Sequence, residues 1–296
     1  MDYKILDSVL LERLKSTGAE DRIWETQFGF KSKSGTLDAL FLTRRLVDEV
    51  WAGKDSQIIF AALDWSKAFD TISPERLAYA LYRFGVPDKF IRMIKSIYSG
   101  RQFLVSDFGR QSELHSQAFG ISQGCPLSPF LFVIVISILM YDARDELKAQ
   151  GCELSEKLLV HDLLYADDTL LIDVYGPNLQ QYMDIVVRLG AFYGLSINWN
   201  KVEVMPIQCD VKIRGASGSF LESKSSLAYL GATIHQNGSI DSELCRRLGM
   251  ASQEFKALCA VWNHTNFGYL EKFAIFRACV CSKLLYGLQS AWLTKA

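Results

Sequence analysis

"LLVHDLLYADDTLLID", residues 158–173, sets two adjacent aspartates, Asp167 and Asp168, inside an apolar run. The flanking arms are built from Leu, Val, Tyr and Ile. Such arms read as two buried strands joined by a tight turn, with the aspartates at the tip. Carboxylates are rarely buried unless something compensates them. The stretch therefore poses the question of what these two are paired with.

A third acid ends a similar run. "SQIIFAALD" (56–64) is almost wholly apolar and reads as a buried strand terminating at Asp64. If that strand neighbours the 158–173 hairpin, three carboxylates converge at one sheet edge. Three such anions repel strongly unless a cation joins them. Hard oxygen ligands without His or Cys select Mg²⁺ or Mn²⁺, and Mg²⁺ fills most of its shell with water and substrate phosphate. The pattern predicts a phosphoryl or nucleotidyl transfer site of the two-metal type. Taken alone, an Asp-Asp in a turn is usually just a solvated turn.

The neighbouring segments alternate in character. "GTLDALFLTRRLVDEVWAG" (35–53) has helical spacing, with Thr36 as the expected cap and Gly53 as the stop. "SPERLAYALYRFG" (73–85) opens on Ser-Pro and closes on Gly, and "VPDKFIRMIKSIYSG" (86–100) is a second such helix. "RQFLVSD" and "ELHSQAF" read as a strand pair. A core helix is expected from Pro126 to about Gln150, and an amphipathic one over 178–194. Short strands follow, then a helical pattern over 239–290 broken near "NFG". The order predicts an α+β body followed by a helical region.

Composition narrows the class. The 296 residues are 49% hydrophobic, enough for a large core. Net charge is −1, so there is no bulk basic signature of nucleic-acid binding. Charge is uneven, however: residues 83–110 carry six Lys/Arg against two acids, and residues 141–173 carry three against nine. The basic stretch, with Lys31, Lys33, Arg44 and Arg45, is a candidate surface for a nucleic-acid backbone. Seven cysteines form no even framework and suit a reducing compartment. Cys259, Cys279 and Cys281 lie near His264 without a second paired-cysteine knuckle, and they read as buried structural residues. The longest apolar run, residues 130–140, is too short to span a bilayer, and the first 20 residues are too charged for a secretion signal.

"YADD" (165–168) between apolar arms resembles the third active-site motif of reverse transcriptases. "FAALDWSKAFDTI" (60–72) resembles their first motif and "GISQGCPLSPFLF" (120–132) their second. "QFGFKSKSGTLDALF" (27–41), "GLSINWNKVEVM" (194–205), "YLGATIHQNGSI" (229–240) and "LLYGLQSAW" (284–292) follow the order of the non-LTR (LINE-type) retrotransposon enzymes. The resemblance runs from about residue 3 to the end.

It implies a right-hand polymerase fold. Residues 1–56 would be partial fingers, 57–85 the first part of the palm, and 86–118 a fingers insertion. Residues 119–238 would be palm with the active-site hairpin and primer grip, and 239–296 a partial helical thumb. Asp64, Asp167 and Asp168 would bind two Mg²⁺ (Mn²⁺ possible), with Asp168 the more peripheral ligand. Phe69 would lie under the incoming sugar and exclude a 2′-hydroxyl by steric repulsion; from spacing alone it reads equally as core. Gln123 and Gly124 would lie against the nascent base pair. Lys201 would be a candidate general acid for pyrophosphate, although Val202 stands where the family often has Thr. Lys31 and Lys33 would contact template, and Tyr229, Leu230 and Gly231 the primer.

The implied partners are an RNA template, a DNA primer and deoxynucleotides, in the nucleus and/or cytoplasm and with no membrane. The implied activity is RNA-directed DNA synthesis. Two alternatives stand beside it: a non-catalytic nucleic-acid-binding remnant, and an RNA-dependent RNA polymerase, against which Phe69 argues. The upstream Arg-Pro-Ile-like block and the full thumb of the family lack counterparts here, so the chain is expected to be a fragment of a longer reading frame or a decayed copy.

Overall fold

The computed structural model describes residues 2–53, 56–122, 124–264 and 266–291. The elements are, in chain order, α1 (Asp2–Ser16), α2 (Thr36–Ala52), β1 (Ile58–Leu63), α3 (Ala68–Thr71), α4 (Pro74–Arg83) and α5 (Asp88–Tyr98). Four two-residue strands follow: β2 (Gln102–Phe103), β3 (Ser106–Asp107), β4 (Arg110–Gln111) and β5 (His115–Ser116). Then come α6 (Ser128–Ala149), β6 (Asp162–Tyr165), β7 (Asp168–Asp173), α7 (Gly176–Tyr193), β8 (Glu203–Ile207), β9 (Ser226–Tyr229) and β10 (Ala232–His235). The chain closes with α8 (Asp241–Ala257), α9 (Cys259–Asn263), α10 (Tyr269–Ile275), a π-helical turn over Phe276–Cys281, and α11 (Ser282–Leu285).

The central sheet has the order β6-β7-β1-β8 and is antiparallel throughout. Its strands are mostly apolar, with polar residues confined to their ends, because both faces are covered. On one face Ile59, Ala61, Leu63, Leu164, Leu171 and Val204 join the core built on α4, α6 and α7. On the other, Ile58, Phe60, Leu163, Leu170, Ile172 and Met205 pack against α2 and the β9–β10 hairpin. Side chains alternate strictly between these two cores, so a one-residue slip would exchange them completely. That sets the register.

The helix ends mostly follow the expected chemistry. Ser73 Oγ accepts from the Arg76 amide, with Pro74 at the first position of α4. Two starts differ. The cap of α2 is Gly35, whose amide donates to Asp38 Oδ2 at 2.8 Å, and Thr36 is the first helical residue. Helix α6 begins at Ser128, with Pro129 in its first turn, rather than at Pro126.

The cysteine expectation also needs correction. Cys125 and Cys152 are buried, but Cys259 is exposed and Cys279 and Cys281 are only half-buried. The C-terminal helices leave one apolar side open, with Tyr269 and Leu270 both 79% exposed. The apolar pattern there does not signify burial.

Candidate active site

The β1–β7 ladder pairs Ala62 with Leu170 and Leu63 with Thr169. Carried one residue further, it sets Asp64 level with Asp168. Trp65, the next residue, is buried and donates from Nε1 to Thr169 Oγ1 at 3.1 Å, which locks the exit of β1 against β7. The two-residue turn between β6 and β7 is Ala166–Asp167, with Tyr165 paired to Asp168. Ala166 has φ 54° and Asp167 does not share the positive sign, the pattern of a type II′ hairpin turn. Rigid strand ends thus bring the three aspartates to one edge.

Asp64 and Asp168 line one cleft of about 300 Å³ with Thr169, Lys201, Glu203 and Tyr229. Desolvation pushes the Asp168 carboxyl up to about 6, and repulsion from Asp167 and Asp64 adds to it. Desolvation also raises Asp167, reinforced by Asp64 and partly offset by its own backbone amide. Among the described residues no cationic side chain pairs with Asp167 or Asp168. Asp64 has Lys201, with Nζ 3.4 Å from Oδ1, both partly exposed.

The hairpin carries two further acids that sequence reasoning passed over, and these are fully compensated. Asp162 accepts from Trp24 Nε1 (2.6 Å), Tyr182 OH (2.7 Å), Arg144 Nη2 (3.2 Å) and Thr26 Oγ1. Asp173 is also buried; burial raises its carboxyl, but His161 and the amides of Tyr175 and Ser155 outweigh that and hold it below the usual range. The contrast decides what the tip acids are available for. Protein donors saturate the acids at the base of the hairpin and leave those at its tip unneutralised.

The donor set at the tip fits a hard divalent cation. It consists of carboxylate oxygens whose mutual repulsion a cation would relieve. Among the described residues no three His, Cys, Asp or Glu side chains are arranged to enclose an ion by themselves. Mg²⁺ usually takes one or two protein carboxylates and completes its shell with water and phosphate.

The other expected residues fall in varied places. Phe69 sits on α3, five residues past Asp64, half-buried and stacked on Phe132 with centroids 4.4 Å apart. Gly124 has φ 80°, which favours glycine; Gln123 lies outside the described residues. Lys201 ends a 3₁₀ turn over Trp199–Lys201, just before β8. Lys31 is half-buried and Lys33 exposed in the loop before α2.

Tyr229 is 3% exposed, with its hydroxyl donating to the Leu163 carbonyl, so its ring is held in the core where it borders the cleft. Leu230 (φ 47°) and Gly231 (φ 71°) form the β9–β10 turn. Its carbonyls are held from the C-terminal region: Tyr286 OH donates to Leu230 O, and Arg246 and Arg247 donate to Gly231 O.

The basic stretch divides. Lys89, Arg92 and Lys95 are exposed on α5, as is Arg110 on β4. Arg83 is instead paired with Asp142, Arg45 with Asp48, and Arg101 holds Ser122 Oγ and the Gly120 carbonyl. Tyr98 is core, bonded to Ser128 Oγ, whereas Phe103 is 47% exposed.

Residues 1–234 match the family described as reverse transcriptase (RNA-dependent DNA polymerase). The chain belongs to the reverse transcriptase family. It is 28% identical over 254 residues to a Pol polyprotein of the type-1 retrotransposable element R2 of Popillia japonica, covering 82% of this chain and 40% of that protein. It is 26% identical to the RNA-directed DNA polymerase from mobile element jockey of Drosophila melanogaster, covering 97% of this chain and 31% of that one. These relatives bear out the non-LTR (LINE-type) resemblance, and the chain spans less than half their length. Among solved structures, telomerase from Candida tropicalis superposes with a TM-score of 0.54 at 13% identity, covering 96% of this chain and 45% of that one. That likeness supports the right-hand polymerase fold for this reverse transcriptase. Among the described residues no helix is long and apolar enough to cross a membrane.

Proposed function

We propose that this domain is the polymerase core of a LINE-type retroelement protein, copying an RNA template by adding deoxynucleotides to a primer 3′-hydroxyl. The observation that carries the reading is the convergence of Asp64, Asp167 and Asp168 at one sheet edge, two of them without a cationic partner among the described residues. Reverse transcriptases as a family use divalent metal ions; in this reading the three aspartates hold two Mg²⁺, with Mn²⁺ able to substitute. Bound there, the ions would activate the attacking hydroxyl and stabilise the charge on the triphosphate.

The chain's own residues would do the rest. The strand ends would hold the carboxylates close to one arrangement and so limit reorganisation on binding. Lys201, at the rim beside Asp64, would bring positive charge and a proton to the departing pyrophosphate. Phe69, backed by Phe132, is a firm wall suited to rejecting a 2′-hydroxyl. Gln123 and Gly124 would face the nascent pair, Lys31 and Lys33 the template, and the Leu230–Gly231 turn the primer end. In this reading residues 1–56 and 86–118 are fingers, 57–85 and 119–238 palm, and 239–296 thumb, and the protein works in the nucleus and/or cytoplasm.

Primer extension tests this. With an RNA template, a DNA primer and Mg²⁺, the domain should extend with deoxynucleotides and not with ribonucleotides. Asp167→Ala should abolish extension while template binding persists. Failure of the folded, RNA-binding wild-type chain to extend with either nucleotide set would refute the catalytic reading.

A further inference from the structure

Gln27 is 1% exposed, and its side-chain amide faces the catalytic turn from the outer edge of β6. Thr26–Phe28 pairs with β6 as a short parallel edge: the Leu164 amide donates to Thr26 O at 2.9 Å, and the Phe28 amide to Leu164 O at 2.8 Å. Backbone pairing stops where the β6–β7 turn begins. There the Gln27 side chain takes over. Its Oε1 accepts from the Ala166 amide at 2.9 Å, and its Nε2 donates to the Ala166 carbonyl at 3.3 Å. The same Oε1 accepts from the Gly29 amide at 2.7 Å, which holds the amide group in place.

Ala166 carries the turn's positive φ, which a residue with a Cβ adopts only under constraint. Its carbonyl belongs to the peptide that leads into Asp167. Turn tips normally leave such groups to water, yet Ala166 is 5% exposed. Gly29 lets the two backbones close on each other: a Cβ there would lie 2.4 Å from the Ala166 nitrogen.

We propose that Gln27 is a positioning residue for the catalytic aspartates, holding the Ala166 peptide groups so that Asp167 is presented in one orientation for cation binding. The contacts stand independently of any activity; their consequence for catalysis rests on the polymerase reading above. A polar residue that orients a metal ligand through its neighbours contributes about 10- to 100-fold in metal affinity or rate when removed.

The test uses the full chain and Gln27→Met, which conserves volume and removes both hydrogen-bonding atoms, with Leu46→Ala as a destabilised control remote from the turn. Hydrogen exchange of the Ala166 amide, Mn²⁺ binding by electron paramagnetic resonance, and primer extension are read together. Gln27→Met should speed exchange at Ala166 by roughly tenfold or more, and should weaken Mn²⁺ binding and slow extension within the range above. Leu46→Ala should lower the melting temperature without changing the Mn²⁺ affinity. Gln27→Glu, which keeps an acceptor for the two amides, should recover part of the binding.

Unchanged Mn²⁺ affinity and unchanged Ala166 exchange in Gln27→Met would overturn the proposal. So would rapid Ala166 exchange in the wild type, a result that stands even where the variant fails to fold. If the wild type binds Mn²⁺ but extends no primer, the polymerase reading of this chain fails while the positioning role is still decided by binding and exchange.

Discussion

Asp64 comes level with Asp168 across the β1–β7 ladder, and the two share a cleft in which the Asp168 carboxyl rises to about 6. A carboxyl whose pKa is higher folded than unfolded binds its proton more tightly in the native state. Native stability from this group therefore falls as pH rises from the ordinary 3.8 to about 6, and stays lower above that. Asp168→Asn should accordingly raise the melting temperature of the metal-free protein at neutral pH. The difference from wild type should shrink as pH drops through the same window. Addition of Mg²⁺ at neutral pH should stabilise wild type more than the variant. Equal melting curves for the two proteins at both pH extremes would contradict the repulsion described.

Asp162 invites the opposite outcome. Removing it strands Arg144, Tyr182, Trp24 and Thr26 around an emptied buried position. Breaking a buried ion pair by deleting one partner costs about 3–5 kcal/mol, so urea unfolding of Asp162→Ala should show a loss of that size. A loss below about 1 kcal/mol, the median of a surface pair, would mean that this network is not what anchors β6.

Gly190 lies inside α7, where alanine normally gains about 1 kcal/mol of helix propensity. Here a Cβ would stand 2.5 Å from the Trp65 ring, which is pinned to Thr169. Overpacking of that kind costs about 1–3 kcal/mol. Gly190→Ala should therefore be neutral to destabilising in a denaturant melt, and, by pressing on the exit of β1, should slow primer extension as well. A clear gain in stability would show that the ring yields freely.

Arg247, buried beside Glu243, reaches across to the carbonyl of Gly231 in the β9–β10 turn. Loss of charged hydrogen bonds of this kind costs about 1.5–3 kcal/mol. Arg247→Met should shorten extension products more than it slows addition of the first nucleotide, because the turn would lose one of its ties to the C-terminal helices, leaving those from Arg246 and Tyr286. Product-length distributions on a long template report this directly, and an unchanged distribution would refute the coupling.

Much of the aspartate edge was legible in the sequence because its signals are local. Apolar arms around Asp167 and Asp168 define a hairpin, and an apolar run into Asp64 defines a strand. What escaped depends on partners distant along the chain. Asp162 looks no different from Asp167 in sequence, and it takes partners from elsewhere in the chain to make it structural: Trp24 and Thr26, more than a hundred residues away, with Arg144 and Tyr182. Gln27 carries no charge and belongs to no periodic pattern, although it opened one of the motifs quoted. Arg83 and Arg101 counted as basic surface because net charge over a window ignores what each cation already holds. Cys259, Cys279 and Cys281 were misread for a related reason: hydrophobic spacing marks an apolar face but not whether another layer covers it.

The division of labour along the β6–β7 hairpin reaches beyond the site. Its arms are tethered by Asp162 and Asp173 to side chains and amides of the protein itself, so the scaffold's integrity is not conditional on a bound ion, unlike metal-nucleated domains that unfold when stripped. A chelator should silence this protein without melting it. In the polymerase reading proposed above, synthesis would then be governed by the supply of divalent ions and nucleotides while the folded population stays constant.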